Sequence, residues 1–155
     1  MGLLQPDVGY RGGDWEAGLS GAAKAITVHS LIQAKAAAAA AAEIGCPVLL
    51  LSAPAAAGAA GPAWFQAVLR MAADAYPGAA IEGVLDCGAM PGHALAALRQ
   101  GLKTVRYDGS SFEAVSDIAA QYGATVIRGR PRALDLAGDS NTAALVEACR
   151  RWLRE

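Results

Sequence analysis

Ile81-Glu82-Gly83-Val84-Leu85-Asp86-Cys87-Gly88 is an apolar run that delivers an acid, a thiol and a glycine at its end. About one helix later, Thr104-Val105-Arg106-Tyr107 delivers Asp108-Gly109-Ser110 in the same way. Strand, polar tip, helix, strand, polar tip is the grammar of parallel α/β proteins, whose chemistry sits at the carboxyl ends of strands. Working outward, the same grammar predicts strands over 25–28, 47–52, 81–85, 104–107 and 124–127, with a sixth short strand at Ala133-Leu134-Asp135-Leu136. The run Val48-Leu49-Leu50-Leu51 is apolar at every position, as expected of a strand buried on both faces.

The intervening segments carry helix punctuation. Ser30 and Gln33 make a capping box for a helix that ends at Gly45, and its alanines have the highest helix propensity. Pro62 opens a second helix whose core face is Phe65, Val68, Leu69, Ala72 and Tyr76, with Pro77-Gly78 as its stop. A third runs from Pro91 to Gln100 before Gly101. Ser110 and Glu113 form a second capping box for a fourth, and Asp139-Ser140-Asn141 caps a last one. The segment 53–61, rich in small residues, reads as a mobile loop, and Arg128, Arg130 and Arg132 as a solvated basic one, with a clamp for an anionic ligand as the alternative.

A chain of 155 residues is one domain's worth. Residues 1–24, with Gly2, Gly9, Gly12, Gly13, Gly18 and Gly21 at no fixed period, read as an irregular arm, and 25–155 as a single α/β domain. Net charge is −1 with 17% charged residues, which argues against a nucleic-acid partner. No apolar stretch has the make-up of a membrane span: Ala36 to Ala42 is alanine alone between Lys35 and Glu43. Met1 to Asp7 lacks the basic and apolar regions of a signal peptide. Cys46, Cys87 and Cys149 are odd in number and far apart, so free thiols and a cytoplasmic location are expected. There is no Walker loop, no G-x-G-x-x-G after a strand and no G-x-S-x-G elbow.

The order Leu85-Asp86-Cys87-Gly88, then Ala97-Leu98-Arg99-Gln100-Gly101, then Thr104-Val105-Arg106-Tyr107-Asp108-Gly109-Ser110 resembles the class II fructose-bisphosphate aldolases. The resemblance covers Ile26 to Gly123 and corresponds to the amino-terminal half of that family's zinc-dependent (β/α)8 barrel. It implies a half-barrel-like parallel sheet, with a doubly wound open sheet as the alternative. Asp86 matches the family's catalytic aspartate. Cys87 stands where a zinc-ligand histidine is usual, and Asp108-Gly109-Ser110 matches its Asp-Gly-Ser.

The departures shape the functional expectation. A complete barrel needs about 250 residues. Only His29 and His93 are available, and no glutamate lies between Glu113 and Glu147. Ordinary aldolase turnover needs a fixed metal with an open position, and these residues do not supply its ligands. The expected protein is a degenerate aldolase relative that binds a small, anionic or phosphorylated molecule, or acts in assembly or regulation. The alternative is a small lyase or isomerase with Asp86 as general base. Asp108, Gly109 and Ser110 are the candidate ligand-binding residues. No cofactor is expected; were zinc bound, Cys87 and His29 would be its candidate ligands. An open half-barrel would also expose inward residues such as Val48, Leu50 and Val84, from which a homodimer is expected.

Overall fold

The computed structural model describes residues 23–155. The order of elements is β1 (Lys24–Thr27), α1 (Leu31–Ile44), β2 (Val48–Leu51), α2 (Ala56–Ala59), α3 (Pro62–Ala75), β3 (Ile81–Asp86), α4 (Pro91–Gln100), β4 (Thr104–Arg106), α5 (Phe112–Gln121), β5 (Thr125–Ile127), β6 (Ala133–Asp135) and α6 (Thr142–Arg154). The α/β reading holds, and every predicted strand is found within a residue or two of its expected ends. Of the predicted arm, residues 1–22 lie outside the described residues; Lys24 belongs to β1.

All strand pairs are parallel, and the sheet order is β5-β4-β3-β2-β1-β6. β3 gives its first four residues to β2 and its last two to β4. That stagger is the shear of a sheet on its way to a barrel. Side chains sort by parity. Ile26, Val28, Val48, Leu50, Ile81, Leu85, Val105 and Val126 form one core with the buried residues of the helices. Ala25, Leu49, Leu51, Val84 and Ile127 form a second cluster that contains strand residues only. The helices therefore bury their faces against one side of the sheet, as in a barrel wall, and the apolar residues of the other side cluster with one another.

This arrangement corrects the expected exposed patch. Val48 and Leu50 lie under the helices at 0% exposure, and inward Val84 is buried as well. None of the three residues named for an exposed patch is exposed.

The link from β5 to β6 explains how so small a sheet closes on itself. Following the registers across the sheet, Ile127 stands level with Asp86, and Ala133 with Ala25, four residues lower. The connecting chain must descend about 13 Å at ~3.3 Å per residue. Its six Cα steps reach at most about 22 Å, which leaves about 17 Å for sideways travel. A flat sheet would set β5 and β6 about 24 Å apart, at ~4.8 Å per strand. The sheet is therefore rolled, and residues 128–132 cross the seam between its edges.

The predicted solvated loop is instead a strap with alternating attachments. Arg128 lies over the Phe112 ring of α5 at 4.2 Å, and Arg132 over the Trp152 ring of α6 at 4.8 Å. Between them Arg130 turns inward.

Two helix starts differ from expectation. The segment 53–61 contains α2, entered through Ala55 at φ 53°. For α5 the boundary residue is Ser111, without a side-chain cap, so Ser110 and Glu113 form no capping box. At α1 the Ser30 hydroxyl does accept from Gln33 N, while Gln33 Oε1 accepts from His29 N. No helix among the described residues is long and apolar enough to cross a membrane.

Candidate functional site

The carboxyl ends of the strands form a polar mouth around Asp86. This residue ends β3 on the inward face and is 0% exposed. Its Oδ1 accepts from Gly88 N at 2.8 Å, and Gly88 is held at φ 57° to present that amide. Arg106 Nη1 reaches both carboxylate oxygens at 3.3 Å, and Arg130 Nη1 reaches Oδ2 at 2.7 Å. A buried carboxylate is tolerable only when charge and lone pairs are both answered, and here they are.

The two arginines are themselves positioned. Arg106 occupies the inward site on β4 directly beside Asp86 in register. Its Nε donates to Arg128 O at 3.0 Å, and its Nη2 to Asp108 Oδ2 at 2.7 Å. Arg130 Nη2 donates to Ser52 O at 2.8 Å and to Thr27 Oγ1 at 3.3 Å. Ser52 Oγ in turn accepts from Asp86 N at 2.9 Å. Strand ends β1, β2, β3 and β4 and the strap thus converge on one cluster. Both arginine side chains are partly exposed, at 16% and 25%.

The sequence-predicted residues divide. Asp86 is at the centre, and Asp108 joins it through Arg106. Gly109 serves a different purpose. A Cβ there would stand 2.2 Å from Tyr107 Oη, so glycine is what lets the loop wrap the buried Tyr107 ring. Tyr107 Oη accepts from Ser111 N at 3.2 Å, taking an amide that a free helix start would offer to an anion. Ser110 is exposed.

Cys87 and His29 are not brought together. Consecutive strand residues point to opposite faces, so Cys87 leaves the mouth and enters the helix-side core at 1% exposure. Burial first, and the Asp86 charge second, push its thiol up to about 12. His29 Nε2 instead meets Asp135 Oδ1 at 2.6 Å, tying the ends of β1 and β6. That bond, aided by Ala137 N and the Arg130 charge, holds the Asp135 carboxyl below its usual range despite some desolvation. Among the described residues no group of three His, Cys, Asp or Glu side chains is arranged to hold a metal ion.

Arg106, Thr27 and Ser52 escaped the sequence reading. A signal for Arg106 existed: a charged residue at the end of an apolar strand, at a position of Asp86's parity. Glu82 also shares that inward face, two residues below Val84. Its Oε2 is buried with no partner among the described residues, and desolvation raises its carboxyl to about 7. No protein-family model matches the chain, and no curated protein matches it in sequence.

Proposed function

We propose that this protein is a degenerate relative of the class II aldolases that binds a small anionic molecule at the mouth and does not turn it over. The observation that carries the reading is the state of Asp86. Both its oxygens already accept, from Gly88 N, Arg106 and Arg130. A general base needs a lone pair facing its substrate; this one faces two guanidiniums. The mouth sets two cations, Arg106 and Arg130, against two carboxylates, Asp86 and Asp108, and an incoming anion would meet the guanidinium donors not spent on them. Arg106 and Arg130 present planar donor forks, fixed in place by Asp86, Asp108 and Ser52, and such forks suit carboxylate and phosphate oxygens.

The test is a thermal-shift titration with inorganic phosphate, citrate and dihydroxyacetone phosphate, using sodium chloride at matched ionic strength as control. A ligand that binds only the native state raises Tm with concentration. A saturable rise with at least one probe, lost in Arg130→Gln, is the expected result. The same preparation incubated with fructose 1,6-bisphosphate and zinc should form no triose phosphate above background. Turnover abolished by Asp86→Ala would replace the binding reading with the lyase alternative.

A further inference from the structure

We propose that residues 128–132 are a ligand-locked strap: an anion held between Arg106 and Arg130 ties the strap to β4 and suppresses opening of the seam between β5 and β6. The inference rests on the reading of the mouth as an anion site, and adds to it a mechanical consequence.

The strap is built to be the weakest part of the wall. Among the described residues its backbone makes no backbone–backbone hydrogen bond, whereas each strand is tied by a ladder. Among the described residues β5 pairs only with β4, and β6 only with β1, each over three residues. Side chains do the holding: Arg128 on Phe112, Arg132 on Trp152, and Arg130 on Asp86, Ser52 and Thr27. The outer two are cation–π contacts of exposed arginines, which water weakens. The central one is charge-assisted and reaches a carboxylate removed from water, so Arg130 is the latch. Regions held by few backbone bonds open at the low end of the local stability range.

Arg130 is also one of the two residues that the mouth offers to an anion. Arg106 belongs to β4, which is anchored in the sheet on both sides. An oxyanion shared by both guanidiniums therefore adds a second tie between strap and sheet, and that tie must break before the strap can leave. The linkage is reciprocal: whatever opens the strap weakens the ligand.

Trypsin reads the opening directly. Arg128-Gly129 and Arg132-Ala133 are cleavable bonds within the strap, while Pro131 protects the bond after Arg130. When opening is fast relative to cleavage, the rate follows the open population. A ligand that binds only the closed form lowers that population by the factor 1 + [L]/Kd, about tenfold at ten times Kd. With inorganic phosphate at ten times the Kd read from its thermal shift, cleavage after Arg128 should slow about tenfold. Without phosphate, cleavage after Arg128 should be at least tenfold faster than cleavage after Arg70, which waits on unfolding of α3. In Arg130→Gln, cleavage after Arg128 should be fast with and without phosphate. In Asp86→Asn it should rise at least fivefold relative to cleavage after Arg70, a ratio that separates strap opening from general loss of stability. If phosphate raises Tm yet leaves Arg128 cleavage unchanged, or if Arg128 and Arg70 are cut at equal rates in its absence, the strap proposal fails and the anion site stands. If phosphate gives no thermal shift, the anion site fails and the lock fails with it.

Discussion

Replacing Glu82 by Gln should stabilise the protein at pH 8 and do nothing near pH 4.5. Glu82 lies on the inward face of β3 beside Leu49, half-buried, with Oε2 lacking a partner among the described residues. Desolvation raises its carboxyl from 4.5 to about 7. The folded protein therefore holds a proton that the unfolded chain releases between those values. The stability this contributes is fully present below about pH 4.5 and is lost as pH rises through about 7. Fully realised, the displacement corresponds to about 3 kcal/mol at 1.36 kcal/mol per pH unit. Because part of the side chain meets solvent, screening reduces this to about 1–2 kcal/mol. Gln has the shape of the protonated acid and no charge to desolvate. Urea unfolding of both proteins at pH 4.5, 6 and 8 should give curves that coincide at the lowest pH. At the highest they should separate by about 1–2 kcal/mol, or about 3–6 °C in Tm for a domain of this size. Differences between the two proteins cancel the titration of every other carboxylate. A constant gap at all three pH values would refute the argument, as would a variant less stable than the parent at pH 8.

Two further outcomes follow from the mouth and its loop. Asp86→Asn leaves Arg106 and Arg130 facing an amide, and should cost about 2–4 kcal/mol in urea unfolding at pH 7, toward the lower part of the range for breaking a buried pair because both arginines keep some water. Gly109→Ala should cost about 1–3 kcal/mol through overpacking against the Tyr107 ring, with a change in Tyr107 near-ultraviolet circular dichroism; an unchanged spectrum and stability would show that the loop yields freely.

What was legible in the sequence, and what was not, divides along a physical line. The strands announced themselves because short apolar runs between glycines and prolines have few other uses in a chain of this kind. α1 was legible from Ser30 and Gly45, and both act as caps in the structure. The facing of the strands was hidden by their own composition. In Val48-Leu49-Leu50-Leu51 every residue is apolar and every one is buried, so alternation carries no information. Val48 and Leu50 belong to the helices and Leu49 and Leu51 to the interior, which only the rolled sheet decides. The same blindness joined Asp86 to Cys87. They are neighbours in the chain, and for that reason a strand sends them to opposite faces.

The strap was the hardest part to read, and the reason is energetic. Gly129 and Pro131 between arginines have the composition of a solvated loop, and composition is sensitive only to what a segment can do alone. Its role is set by β6, which returns to β1 rather than continuing beyond β5. That choice forces six Cα steps to bridge the rolled edges and drives Arg130 inward, where Asp86, 44 residues earlier, waits at full burial. There the carboxylate, removed from water, is answered by Arg130 and Arg106 together. The pair is therefore a consequence of topology, and the topology in turn depends on the pair: without Arg130 the strap loses its inner tie, and without the strap the mouth loses one of its two cations. Such mutual dependence places the closing of the barrel wall and the charge of the mouth on the same residue, which is why Arg130 is the side chain whose replacement should disturb both at once.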